Sequence, residues 1–234
     1  MCIAGGKIAD LKLASATISF GLDNRRRSVR QFAAHQHLFY EGDDKTHLFI
    51  ITSGWVKLYR TLINGQRQVV GFANAGSILG LEADADQSNG CEAITAVTAY
   101  AIPSGSVSEL CRRDSVFAEQ MLRQVGRQLG AAQAQLASVG TQSADQKLAT
   151  FLISIADLCG TEGGDEFDLP MRRGDMAEFL GLRLETVSRK MSEFQRRGWI
   201  EMSSLYHCRI VRPDILDDLA LGGEMDEAPL TGAD

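Results

Sequence analysis

The chain has 234 residues, 44% apolar and 23% charged, which excludes a low-complexity polymer and suffices for one large or two smaller packed domains. Apolar runs such as Leu48–Ile51 fall far short of the roughly 20 residues of a bilayer span, and Met1–Lys7 lacks a signal-peptide pattern, so a cytoplasmic protein with no membrane partner is expected. Five cysteines without a CxxC pair argue against a disulfide framework or a closed zinc site, and a net charge of −6 argues against nucleic acid only if it is spread evenly. It is not. Residues 172–212 carry nine Lys or Arg against five acids, whereas 213–234 carry seven acids and no base. A basic island ahead of an acidic tail points towards a polyanionic partner.

Residues 1–27 form a weakly patterned N-terminal segment in which Arg25-Arg26-Arg27 reads as a solvated surface. From 28 to 105, short β-branched or aromatic runs alternate with turn signals at Gly42, Asn64-Gly65, Asn74-Ala75-Gly76 and Asn89-Gly90. That rhythm predicts a small antiparallel barrel or sandwich. Leu58–Thr61 and Arg67–Val70 flank a hairpin tip of Leu62, Ile63, Asn64, Gly65 and Gln66, whose Asn-Gly suits positive φ.

Residues 106–140 are predicted to form one long helix. Leu122, Val125, Leu129, Ala132, Leu136 and Val139 recur at alternating spacings of three and four, a heptad stripe flanked by Gln and Arg. Such a narrow stripe suits pairing with a second copy of the chain; packing on the protein's own core is the alternative. Ser143-Ala144-Asp145-Gln146 has the form of a capping box and opens a new helix that ends near Cys159-Gly160. The acidic, glycine-containing stretch 160–168 reads as a surface loop, and the domain boundary falls near Gly140.

Residues 173–198 read as helix, tight turn, helix. The first helix, about 173–180, buries Met176, Phe179 and Leu180, and Gly181 occupies the sharp turn. The second, about 184–197, turns Val187, Met191 and Phe194 inward and presents Glu185, Ser188 and Arg189 on the other face, with Lys190, Arg196 and Arg197 beyond. An apolar face that anchors the helix and polar groups near its N-terminal end are what a DNA recognition helix requires. Arg189 suits guanine O6 and N7, Glu185 suits cytosine N4, and Ser188 is a small polar or methyl contact. Arg173, Arg183, Thr186 and Lys190 are candidates for phosphate contacts that set register. Trp199–Met202 and Arg209–Val211 read as two strands of a wing.

These motifs resemble the CRP/FNR superfamily of bacterial transcription regulators, on its FNR/FixK branch. Leu184-Glu185-Thr186-Val187-Ser188-Arg189 matches the branch's ExxSR helix, and Leu169-Pro170-Met171 leads into its helix-turn-helix. Arg67–Phe72 followed by Gly76–Gly80 is similar to the family's β-roll signature, and Ser143–Lys147 to the start of its DNA-binding domain. The resemblance implies an α+β chain with an N-terminal antiparallel β-roll of the cyclic-nucleotide-binding, jelly-roll kind (28–105). A long dimerisation helix (106–140), a C-terminal winged helix-turn-helix (141–221) and an acidic tail (222–234) would follow. It implies a homodimeric activator, not an enzyme, that binds a TTGAT-like inverted repeat in double-stranded DNA and controls low-oxygen, denitrification or nitrogen-fixation genes. Glu185 and Arg189 would read the G·C pair and Ser188 a T. The tip at Ile63, Asn64, Gly65 and Gln66 resembles the surface that meets RNA polymerase.

Departures from the family pattern bear on the signal. Only Cys2 lies in the first 90 residues, so the N-terminal cysteine cluster that holds an iron–sulfur centre in FNR is missing, and no cofactor is expected. Gly90-Cys91 stands at the positions matched to the Arg-Ser pair of cyclic-nucleotide binders, without a charge for a cyclic phosphate. Arg183 replaces the usual Ser or Thr before the recognition helix, losing an N-cap worth about 1 kcal/mol. Two alternatives use other residues. His35-Gln36-His37 with Glu41 fits the HxHxxxE pattern of a metal-binding cupin-like enzyme, provided a strand turns both imidazoles one way. Haem or nitric-oxide sensing through His35, His37 or His47 would keep the DNA-binding role. Cys208 beside Arg209 is a candidate redox switch, because nearby positive charge favours thiolate.

Overall fold

The computed structural model describes residues 28–223, apart from 83, 140–141 and 160–165, and leaves out the side chains of 127, 131 and 134–139. The N-terminal segment with Cys2 and the acidic tail from 224 onward lie outside the described residues.

The first lobe is built from β1 (Ser28–Phe32), β2 (His37–Phe39), β3 (His47–Ser53), β4 (Val56–Thr61), β5 (Arg67–Ala73), β6 (Ile78–Leu79), β7 (Gly90–Ala93) and β8 (Val97–Pro103). They form two antiparallel four-stranded sheets, ordered β1-β8-β3-β6 and β2-β7-β4-β5. Alternation along the strands turns Phe32, Phe39, Phe49, Ile51, Val56 and Val97 into the space between the sheets. The predicted hairpin is present. Leu62 donates to the Gln66 carbonyl at 2.8 Å, Gln66 N–H to Asn64 Oδ1 at 3.0 Å, and Gly65 takes φ +78°.

The long helix expected over 106–140 is two helices, α1 (Ser104–Arg113) and α2 (Ser115–Val139), broken at Asp114. Asp114 has extended backbone (φ −126°, ψ 100°), and its Oδ1 accepts the Phe117 N–H at 3.0 Å. A carboxylate that satisfies an orphan donor starts a second helix more effectively than it continues the first. The break lets α2 place Phe117 and Met121 on Leu48, Ile50, Ile78 and Ile102 of the roll.

The second lobe holds α3 (Ala144–Cys159), β9 (Glu166–Asp168), α4 (Arg173–Leu180), α5 (Leu184–Arg196), β10 (Ile200–Ser204), β11 (His207–Ile210) and α6 (Pro213–Ala220). The capping box is in place: Ser143 N–H donates to Gln146 Oε1 at 2.9 Å, and Gln146 N–H to Ser143 Oγ at 3.3 Å. The end of the expected 160–168 loop is instead strand β9, paired with β11 so that the wing sheet runs β10-β11-β9. Three residues carry too little alternation to announce a strand, and cross-strand pairing supplies what local pattern lacks. The acidic stretch after Pro213 begins as α6, because Leu216 and Leu219 bury themselves against α3. Among the described residues no helix is long and apolar enough to cross a membrane.

Candidate nucleic-acid interface

Helix α4 begins where Asp175 Oδ2 accepts the Arg172 N–H at 3.1 Å, and it ends at Gly181, left-handed at φ +63°. An L side chain pays a steric penalty in that region, which is why glycine makes the turn. The turn delivers α5 with Val187, Met191 and Phe194 in the lobe's core, where Phe194 packs on Trp199 at 5.1 Å between ring centroids. The opposite face carries Glu185, Ser188 and Arg189, all exposed, with Arg183 exposed just before the helix and Thr186 half-buried at its edge. Arg183 is the N-cap and makes no side-chain capping bond; its carbonyl accepts the Val187 N–H at 3.1 Å. Glu185 in the first turn complements the positive end of the helix dipole.

Folding sorts the basic island into two groups. Among the described residues no acidic side chain pairs with Arg183, Arg189 or Arg196, whereas other cations are already engaged. Lys190 was expected on the phosphate-facing side. Instead it turns inward, with Nζ 2.8 Å from Asp145 Oδ2 on α3 and 3.1 Å from Glu193 Oε2. Arg173, also expected at phosphate, lies half-buried with its guanidinium 3.2 Å from Met176 Sδ, and burial lowers its pKa. Both are corrections of the same kind: charge counting sees a cation, and only packing shows where it points. Arg197 bonds Glu193 at 3.3 Å and covers the Trp199 ring, and Arg212 bonds Asp214 at 2.6 Å.

Cys208, the candidate redox switch, lies in surroundings that do not favour a thiolate. Its thiol is buried on β11 and burial pushes the pKa up to about 12, an effect that facing Arg173 only partly offsets. Neighbour Arg209 instead bonds Glu201. The cupin-like enzyme reading is overturned. His35 occupies a turn, with φ +68°, rather than a strand. Glu41 accepts the Thr61 N–H at 2.7 Å. His35 and His37 do converge on Glu92, at 3.5 and 3.7 Å, but Lys57 and Arg67 occupy the same carboxylate. Among the described residues no cluster of three His, Cys, Asp or Glu could hold a metal ion. His47 is on β3, in the other sheet, bonded to Thr46 at 2.9 Å, so the three histidines do not form one group.

On α2, the flank beside the buried face of Phe117 and Met121 leaves Leu122, Val125 and Leu129 at 73, 43 and 59% exposure, with Ala132 also exposed. The side chains of Leu136 and Val139 lie outside the described residues. Ile63, Asn64, Gly65 and Gln66 form a fully exposed hairpin tip.

A family model described as Cyclic nucleotide-binding domain matches residues 29–114, and one described as Crp-like helix-turn-helix domain matches residues 146–219. Over 194 residues the chain is 32% identical to the nitrogen fixation regulation protein FixK of Rhizobium meliloti, covering 82% of this chain and 87% of that one. Over 203 residues it is 29% identical to the fumarate and nitrate reduction regulatory protein of Escherichia coli K12, covering 85% and 81%. The solved structure of FixK2 from Bradyrhizobium japonicum matches with a TM-score of 0.77 at 24% identity, covering 82% of this chain and 96% of that one.

A cyclic phosphate does not fit the matched positions. The space a side chain at Gly90 would enter is filled by the Tyr59 ring, and Cys91 is a buried neutral thiol whose pKa burial raises. Arg67, stacked on that Tyr59 ring at 4.4 Å, already bonds Glu92.

Proposed function

The chain belongs to the CRP/FNR family of transcription regulators, on its FixK-like branch, and from that premise we propose that it works as a homodimer activating transcription from a TTGAT-like inverted repeat. That it is a DNA-binding regulator and not an enzyme follows from the family itself.

The observation that carries the finer reading is the solvent face of α5, where Glu185, Ser188 and Arg189 stand exposed on a helix anchored by Val187, Met191 and Phe194. Arg189 donates two bonds to guanine O6 and N7, Glu185 accepts from the paired cytosine N4, and Ser188 meets a thymine. Arg183 and Thr186 contact phosphates and set register. The bare stripe of Leu122, Val125, Leu129 and Ala132, continued in sequence by Leu136 and Val139, is the dimer seam. Its partner is a second copy, because an inverted repeat needs two recognition helices related by a two-fold axis. The tip from Ile63 to Gln66 meets RNA polymerase. The relatives named for nitrogen fixation and for fumarate and nitrate reduction support target genes of low-oxygen metabolism, denitrification or nitrogen fixation. The poor fit of a cyclic phosphate supports binding without a nucleotide effector. We also propose the domain division 28–105, 106–140 and 141–221, with the helical segment serving the dimer.

The test is selection of bound duplexes from a random pool with ligand-free protein. The expected result is an inverted repeat of TTGAT-like half-sites with one preferred spacing. Failure to enrich any palindrome, or a requirement for added cyclic nucleotide, would overturn the proposal. Replacing residues 63–66 is expected to lower transcript yield while leaving operator affinity intact.

A further inference from the structure

The seam between the two lobes holds a charge cluster that base reading does not use. Glu92 on β7 is buried, and its carboxylate is approached by Arg67 at 3.3 Å, Lys57 and His35 at 3.5 Å, and His37 at 3.7 Å. Lys57, on β4, reaches out of this cluster and donates from Nζ to Asp175 Oδ1 on α4 at 2.7 Å. Asp175 is the residue whose other oxygen caps α4. One carboxylate therefore starts the first helix of the helix-turn-helix and receives an ammonium from the β-roll. Burial works against the Lys57 charge, yet the bonds to Asp175 and Glu92 outweigh it and raise its pKa, so the group stays protonated.

Other contacts surround this bridge. Gln68 donates to the Glu178 carbonyl, and Asn74 to the Leu158 carbonyl at 2.9 Å. Phe72 of β5 packs against Phe151 and Phe179, at 5.9 and 5.3 Å between centroids. These contacts fall on α3 and α4, while Glu185, Ser188 and Arg189 of α5 stay exposed. The seam thus holds the lobe without covering its reading face. A dimer bound to an inverted repeat must place two recognition helices about one helical turn, roughly 34 Å, apart. A lobe free to swivel on the roll would spread that separation.

Resting on the dimeric reading above, we propose that Lys57 is a positioning residue for operator spacing: its bridge from the β-roll to Asp175 sets the angle of the recognition helix and so determines which half-site separation the dimer accepts.

The test uses the full chain and measures affinity for the selected inverted repeat, for versions with the spacer changed by one or two base pairs, and for a single half-site. Wild type is expected to lose on the order of tenfold in affinity per base pair of altered spacing. Lys57→Met flattens that preference to about threefold or less, and Lys57→Glu, which adds a third carboxylate to the seam, flattens it further. Lys57→Arg keeps the wild-type preference, and half-site affinity stays within about twofold of wild type in all three variants. The double variant Gln68→Ala/Asn74→Ala loosens the same seam without leaving buried carboxylates unpaired, and covers the case of a Lys57 variant that does not fold. An equal loss on every duplex with spacing preference intact is what a merely structural role predicts, and it overturns the proposal, as does no change anywhere. If wild type ignores all inverted repeats, the dimeric reading itself fails and takes this proposal with it, a result distinct from either.

Discussion

Arg189 and Lys190 are adjacent and equally charged, yet folding gives them different work. Arg189 faces solvent from the reading side of α5, whereas Lys190 lies between Asp145 and Glu193. Arg189→Ala is therefore expected to cost about 1–3 kcal/mol of operator affinity and to relax one base position, as repeat selection would report. Arg183→Ala is expected to weaken all sequences alike and to reduce the salt slope of binding by about one, measured by titration across salt concentrations. Cys208 gives the opposite kind of expectation. Because its thiol is buried and held protonated, peroxide should affect DNA binding equally in wild type and in Cys208→Ser. A peroxide effect confined to wild type would support the redox reading.

At the scale of elements, α5 is held by two devices. Its apolar face fills the lobe's core, so Phe194→Ala should destabilise by about 3–5 kcal/mol in denaturant melts. Its Lys190 bridge to Asp145 on α3 adds a pH-dependent tie. The Lys190 pKa is raised, burial notwithstanding, by Asp145 and Glu193, so its contribution is present below the ordinary lysine value and lost as pH rises through the raised one. Glu193 is lowered, chiefly by its bond to Lys190, so its contribution is present above the ordinary carboxylate range and lost as pH falls through the lowered value. Lys190→Met should accordingly lower Tm at neutral pH, and the gap to wild type should close in acid below the ordinary carboxylate range. On α2, Leu129→Glu puts a charge into the exposed stripe and should shift the protein towards monomer in sedimentation, with loss of inverted-repeat affinity.

For the whole molecule, two lobes share one seam, and the helix that carries the exposed stripe packs an adjoining face on the β-roll. Much of this was legible in the chain. The helix-turn-helix showed itself through Met176, Gly181, Val187, Met191 and Phe194, because local periodicity and a turn requiring φ > 0 are properties of neighbours in sequence. The Ser143–Gln146 cap and the hairpin at Asn64-Gly65 were legible for the same reason. Decisions between distant residues were not. Strand β9 exists because β11 pairs with it, and α2 lies on the roll through Phe117 and Met121. The neutralisation of Lys190 by Asp145, the burial of Arg173 and Cys208, and the bridge from Lys57 to Asp175 each join groups far apart along the chain. Sequence alone determined the helix-turn-helix, the Ser143 cap, the Asn64-Gly65 hairpin and which face of α5 carries polar groups, since backbone preference and side-chain period act over a few residues. Only tertiary structure decided which charges remain free to meet DNA, since a charge is satisfied by whatever the fold brings within a few ångströms of it.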